Sequence, residues 1–234
     1  MLLLFDIDGT LIRCGGAGRA ALNAAILELH GAENVMKDIR LAGGTDYAIF
    51  DQIFEAHFGR LPHDISEIQD GLNCYLKHLK RELAEGGDRF EILPGAVEAI
   101  DRLEAEPDYM VGLATGNVEE GARLKLEHAQ LWHRFEFGGY GSDAKTRVGL
   151  VQAGVKRANQ IRESQGKEAF KPEEIYVIGD TEFDVRSAHD LGFRSIGVRI
   201  GSFHVDVLEQ EKPSFMVDSL EDSQFWSAIG LDPA

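Results

Sequence analysis

Four short polar clusters punctuate the chain in order. They are Asp6-Ile-Asp8-Gly-Thr10, Thr115-Gly116-Asn117, Lys145-Thr146-Arg147 and Gly179-Asp180-Thr181, with Asp184 four residues beyond Asp180. Asp6 and Asp8 are two residues apart, so on a continuing strand both carboxylates project to one side. Two acids so placed repel one another unless a cation stands between them. Carboxylates, a hydroxyl and one basic residue are the groups that phosphoryl transfer requires. Magnesium is the matching ion, a hard cation held by one or two carboxylates together with waters and substrate phosphate.

The first, second and fourth clusters each follow a short apolar run: Leu2–Phe5, Met110–Ala114 and Ile175–Ile178. Unalternated runs of this length are expected of strands buried on both faces of a parallel sheet. Parallel strands point their carboxyl ends the same way, so the acids and Thr115 converge on one sheet edge, where ligands bind in open α/β sheets.

Between the first two strands, Gly15 to Gly87 reads as helical throughout. One helix carries Leu22, Ile26 and Leu29 on its apolar face and closes at Gly31. Thr45 or Asp46 caps a second, with Ile49, Phe50, Ile53 and Phe54 inward and Gly59 at its end. Asp64 opens the longest, in which Ile65, Ile68, Leu72, Tyr75, Leu76, Leu79 and Leu83 recur at three- and four-residue steps up to Gly86-Gly87. Afterwards strands and helices alternate. Pro94-Gly95 introduces a helix bearing Val97, Ile100 and Leu103. Further helices are expected near residues 118–128, 147–162 and 184–190, and a strand at Phe135–Phe137. Arg194–Val198 is the last clear strand, and the tail beyond Gly201 is weakly patterned. The expected fold class is α/β: a Rossmann-like, doubly wound parallel sheet from residues 1–13 and 89–234, with an all-α domain inserted at 14–88.

Composition narrows the function. The net charge is −16, from 40 acids against 24 bases, which argues against a nucleic-acid partner that would want a basic face. An anionic substrate remains compatible, because a divalent cation reverses the local field. Cys14 and Cys74 show neither CxxC nor metal-ligand spacing and read as free thiols of a reducing compartment. The eight histidines likewise show no close metal spacing. No run reaches membrane-spanning length, and the apolar N-terminal run is too short for a signal segment. The expectation is a cytoplasmic protein without a membrane partner, a monomer or homodimer acting on a small phosphate ester.

Taken together, the clusters resemble the haloacid dehalogenase superfamily of phosphohydrolases. Asp6-Ile-Asp8-Gly-Thr10 is similar to its first motif, Leu113-Ala114-Thr115-Gly116-Asn117 to its second, and Gly179-Asp180-Thr181-Glu182-Phe183-Asp184 to its fourth. The family also inserts a helical cap directly after the first motif, where residues 14–88 lie. The resemblance implies roles for each residue. Asp6 is the nucleophile that forms an aspartyl-phosphate, and Asp8 the general acid and then base. Mg2+ is held by Asp6, Asp180 and the main-chain carbonyl of Asp8, with Asp184 supporting the ion or its waters. Thr115 and the following Gly116 and Asn117 bind phosphoryl oxygens. The third motif departs from the family's lysine-proline. Lys145 matches the residue type and is assigned the catalytic cation. Arg147 matches the helix start and is assigned phosphate binding, and either can fill the cationic role. Members that attack carbon lack an acid where Asp8 stands, so this chain resembles the phosphatases, of phosphoglycolate phosphatase-like type. A sugar phosphomutase shares the same core motifs, and a catalytically idle regulatory protein is the reading from another class. Arg13, Arg19 and Thr45 stand near the hinge and facing loops as candidates to read the leaving group.

Overall fold

The computed structural model describes residues 1–37, 39, 43–86 and 89–233. Six parallel strands form one sheet in the order β5-β4-β1-β6-β7-β8. They are β1 (Leu2–Phe5), β4 (Met110–Ala114), β5 (Gly138–Gly139), β6 (Ile175–Gly179), β7 (Arg194–Val198) and β8 (Phe215–Val217). β1 is therefore central, flanked by the two strands whose ends carry Thr115 and Asp180.

Alternation along β1 assigns its side chains to two layers. Leu3 and Phe5 pack with α4 (Ala96–Glu104), α5 (Glu119–His128) and α9 (Ser223–Ile229). Leu2 and Leu4 pack on the other face with α6 (Arg147–Ser164) and α7 (Glu182–Asp190). All four side chains are fully buried, which explains the unbroken apolar run. Truncating Phe5 to alanine would cost about 3–5 kcal/mol.

The helical block consists of α1 (Ala17–His30), α2 (Asp46–Phe58) and α3 (Ile65–Glu85), which share an apolar cluster of their own. The expected caps are present. Thr45 Oγ1 accepts from the Ala48 N–H, and Asp64 Oδ1 accepts from the Ser66 and Glu67 N–H groups. Gly31 and Gly59 close α1 and α2 in the left-handed conformation. Of the expected closing pair of α3, Gly86 caps it and Gly87 lies outside the described residues. Two short strands, β2 (Ile12–Arg13) and β3 (Glu91–Ile92), pair antiparallel where the chain leaves and re-enters the sheet layer.

Several expectations change. Leu29 and Ile65 are 42% and 65% exposed, because each falls at the rim of its helix's apolar stripe. The strand placed at Phe135–Phe137 forms three residues later, at Gly138–Gly139. Phe135 and Phe137 pack inward instead, and a Cβ on Gly138 would crowd Tyr140 and Leu113. The weakly patterned tail holds α8 (Val205–Gln210), the edge strand β8 and α9, whose Phe225 and Trp226 complete the core. No helix among the described residues is long and apolar enough to cross a membrane.

Candidate functional site

Phe5 registers with Leu113 on one side and Ile178 on the other, so Asp6, Thr115 and Asp180 emerge from three adjacent strand ends. The Asp6 N–H donates to Ile178 O at 2.9 Å, which extends the ladder to the acid itself. Carboxylate oxygens of Asp6, Asp180 and Asp184 lie within 4.8 Å of one another, and all three residues are buried.

Arg147 enters this cluster from the first turn of α6. Thr146 is the N-cap, its Oγ1 accepting from the Gly149 N–H, so Arg147 is the first helical residue. A cation there opposes the helix dipole and needs facing carboxylates. It has two: Nη2 is 2.8 Å from Asp6 Oδ2, and Nε and Nη2 both donate to Asp184 Oδ1. The other oxygen of Asp184 accepts from the Thr181 N–H at 3.1 Å and Oγ1–H at 2.6 Å, which starts α7. Asp184 therefore has both oxygens engaged and stands behind the site. Asp180 differs, because its Oδ1 is buried with no hydrogen-bond partner. Gly9 (φ +82°) lets the chain pass that carboxylate, into which any Cβ would collide.

Electrostatics point the same way. Burial pushes the Asp6 carboxyl up to about 6, against the pull of Arg147 and with further push from Asp184 and Asp8. Burial, then Asp6 and Asp184, raise Asp180 well above the ordinary carboxylate range. Buried carboxylates that ionise reluctantly, one with an orphaned oxygen, suit an oxygen-liganded divalent cation.

Asp8 turns its carboxylate away from this cluster. Its Oδ2 accepts from Asn117 Nδ2 at 2.8 Å and from Lys125 Nζ at 2.6 Å. Lys125 also donates to Asn117 Oδ1 at 2.6 Å, and Asn117 Nδ2 to Thr115 Oγ1 at 2.8 Å. Burial works to raise Asp8, but Lys125 and Asn117 outweigh it and hold the acid below its ordinary range. Lys125 itself would be lowered by burial, yet the Asp8 carboxylate outweighs this and holds it well above the ordinary lysine range. Sequence reasoning missed Lys125. It sits ten residues beyond Thr115 inside an amphipathic helix, where a lysine ordinarily faces water. Its one signal is a position among Ala122, Leu126 and Ala129, which are all buried.

The two cations of the third cluster separate. Lys145, assigned the catalytic role from its residue type, stands outside the acids. Its half-exposed side chain reaches Asp51 on α2, 2.7 Å from Nζ to Oδ2, because the Thr146 cap turns the chain between them. Arg147 takes the place beside Asp6. Of the three leaving-group candidates, Arg13 and Arg19 line the cavity beside the acids while also holding protein partners, and Thr45 does not line it. Arg13 pairs with Glu91 and donates to Ile200 O. Arg19 donates to Met36 O and Ile39 O. Thr45 caps α2 and donates to Lys145 O at 3.1 Å.

Helix α2 meets the Thr115–Asn117 loop directly. The Asp46 N–H donates to Gly116 O at 2.9 Å, and the Val118 N–H donates to Asp46 Oδ2 at 2.8 Å. Gly116 is needed because a Cβ would strike Gly44 O. Between the two layers lies a cavity of about 700 Å³. Asp6, Thr115, Arg147 and Asp180 form its polar floor, and Leu22, Ile49 and Tyr75 its largely apolar roof.

Proteins similar to this one span nearly its whole length. A phosphoglycolate phosphatase of Cereibacter sphaeroides is 26% identical over 209 residues, covering 88% of each chain. A pyrophosphatase of Bacillus mycoides is 21% identical over 224 residues, 94% of this chain and 93% of its own. The crystal structure of a hydrolase from Pseudomonas syringae superposes with a TM-score of 0.74 at 19% identity, covering 98% and 99% of the two chains. The family description of the haloacid dehalogenase-like hydrolases matches residues 3–198, which takes in all four polar clusters, and the chain belongs to that family.

Proposed function

We propose that the protein is a magnesium-dependent phosphatase that hydrolyses a small phosphorylated metabolite through an aspartyl-phosphate on Asp6. The observation that carries this reading is the buried triad Asp6–Asp180–Asp184 with Arg147 2.8 Å from Asp6 and an unpartnered Asp180 oxygen among them. Asp6, Asp180 and the main-chain carbonyl of Asp8 would hold the ion. When bound, magnesium neutralises charge on both the carboxylates and the phosphoryl oxygens, so that an anionic nucleophile can approach an anionic ester.

Arg147 fixes the Asp6 carboxylate and carries positive charge beside it. Asp6 forms the new bond to phosphorus as the ester oxygen departs. The Thr115 hydroxyl already accepts from Asn117, which leaves its proton for a phosphoryl oxygen. Asp8 faces the cavity side of the nucleophile and serves both halves of the reaction. Held ionised by Lys125 and Asn117, it is suited to take the proton of the attacking water. For the leaving oxygen, Asp8 passes on a proton, and the Lys125 ammonium 2.6 Å from Asp8 Oδ2 stands as its adjacent source.

Residues 14–88 act in this proposal as the cap, hinged at the β2–β3 pair and seated on the core through Thr45, Asp46 and Lys145. Closure removes water from the site and places Leu22, Ile49 and Tyr75 over the leaving group. The two free thiols accord with a cytoplasmic setting.

The test is phosphate release from a panel of phosphorylated metabolites and an artificial phosphomonoester, with and without magnesium. The wild type should show magnesium-dependent turnover, and Asp6→Asn should lose it with its circular dichroism unchanged. A hexose 1-phosphate followed by product analysis separates hydrolysis from a mutase outcome. Silence across the panel would leave a regulatory protein on the same scaffold.

A further inference from the structure

The helical block carries a second group of potential ligands, remote in kind from the all-oxygen set of the active site. Cys74 and His78 are four residues apart on α3, one turn, and so share a face. Glu28 on the last turn of α1 meets them. Donor atoms of the three residues lie within 4.8 Å of one another. Cys74 and His78 are buried and Glu28 is open to solvent. As free thiols and scattered histidines these residues carried no metal signal in linear spacing; the helix brings them to it.

Two observations set this trio apart from an ordinary ion pair. His78 donates one hydrogen bond, Nε2 to Glu28 Oε2 at 2.8 Å, while its Nδ1 is buried with no partner at all. The Cys74 thiol, a weak donor, meets Ala25 O at 4.0 Å and the Glu28 carboxylate. A buried imidazole nitrogen left without a partner is costly where it stands unless something else uses it. Lys77 also reaches Glu28, at 3.0 Å, but its side chain is mostly in water and can release the carboxylate.

We propose that Glu28, Cys74 and His78 form a zinc site that clamps α1 to α3. Sulfur, nitrogen and carboxylate oxygen are the donors zinc selects, at about 2.3, 2.0 and 2.0–2.2 Å, and the three present donors already lie within 4.8 Å of one another. The ion enters from the Glu28 side, and water takes the fourth position. Binding converts the Cys74 thiol to a zinc-bound thiolate and releases its proton to solvent, and no electron is transferred. The Lys77 and His78 contacts to Glu28 yield to the metal. α1 and α3 also carry Leu22 and Tyr75, the roof of the catalytic cavity, so the clamp fixes the wall that the substrate meets.

Cobalt(II) tests this without any assay of activity. Added to the full-length, reduced protein, it should give a thiolate-to-cobalt charge-transfer band in the near ultraviolet that zinc abolishes. An all-oxygen site cannot produce that band, so Asp6→Asn should keep it. Cys74→Ser should lose it. Glu28→Gln, at an exposed position that does not threaten folding, should weaken zinc binding measured by chelator competition by at least about tenfold, since even outer partners of a ligand are worth 10–100-fold. Cys14→Ser should leave the band intact. No thiolate band in the wild type, or a band that survives Cys74→Ser and disappears in Cys14→Ser, would overturn the proposal.

Discussion

Arg147→Met and Lys145→Met, compared side by side, should give opposite results although the residues are two apart. Arg147 is almost fully buried and bonded to Asp6 and Asp184. Its removal leaves two carboxylates beside a third, Asp180, with no protein cation among them. Breaking a buried charged pair costs about 3–5 kcal/mol. The nucleophile also loses the group that fixes it, and displacement by about an ångström alone is worth on the order of 10²-fold in rate. Loss of fixed positive charge at the phosphoryl centre contributes about 10²–10³ more. Lys145, by contrast, makes an ion pair that water reaches, worth about 0.2–1 kcal/mol. Its removal should change turnover by less than about fivefold, the rate equivalent of 1 kcal/mol. The assay is magnesium-dependent hydrolysis of an artificial phosphomonoester, with urea unfolding on each variant. Arg147→Lys restores charge without the planar fork and should recover only part of the loss. Full activity in Arg147→Met together with loss in Lys145→Met would refute the assignment, because the lysine would then be reaching the site by a path this geometry does not contain.

Three further outcomes follow. Asp46 is buried, and burial lifts its carboxyl to about 6 from 3.8, so the ionised form costs the folded state about 3 kcal/mol at pH 8 and nothing below pH 4. This group's contribution to stability falls as pH rises through that window. Asp46→Asn keeps an acceptor for the Val118 N–H, and it should gain stability in urea at pH 8 and match the wild type near pH 4. An equal gain at both pH values would contradict this. Lys125→Met frees Asp8 from the cation that holds its carboxyl down, so the Asp8 carboxyl, followed by its NMR resonance, should titrate at higher pH than in the wild type. A shift to lower pH would sink that reasoning. Gly9→Ala drives a Cβ into the Asp180 carboxylate at a positive φ, and should raise the magnesium concentration needed for half-maximal turnover at least about tenfold while leaving the circular dichroism intact. An unchanged requirement would remove Asp180 from the metal site.

The strand ends were legible because the apolar runs stop abruptly at polar residues, and parallel topology then forces Asp6, Thr115 and Asp180 to one edge. The helix caps Thr45 and Asp64 were legible for the same local reason. What remained hidden depends on where a side chain turns once its element is packed. Lys125 lies on a helix face that sequence alone cannot distinguish from a solvated one, and only the stack of α5 between the sheet and α3 drives it inward. Lys145 and Arg147 differ by which of them precedes the Thr146 cap, a matter of one residue in helix start. Gly138–Gly139 carries no side-chain signal for a strand, and β8 owes its place to pairing with β7 rather than to its own three residues. Cys74 and His78 escaped attention because their spacing has meaning only on a helix that also meets Glu28.

The central claim is that Asp6 becomes phosphorylated. Rapid acid quench of the enzyme with a substrate radiolabelled at phosphorus, followed by peptide mapping, tests it directly. Label should appear on the peptide containing Asp6, be released by hydroxylamine as an acyl phosphate, persist longer in Asp8→Asn, where the water-activating base is gone, and be missing in Asp6→Asn. Label on another residue, or undiminished turnover in Asp6→Asn, would contradict the account.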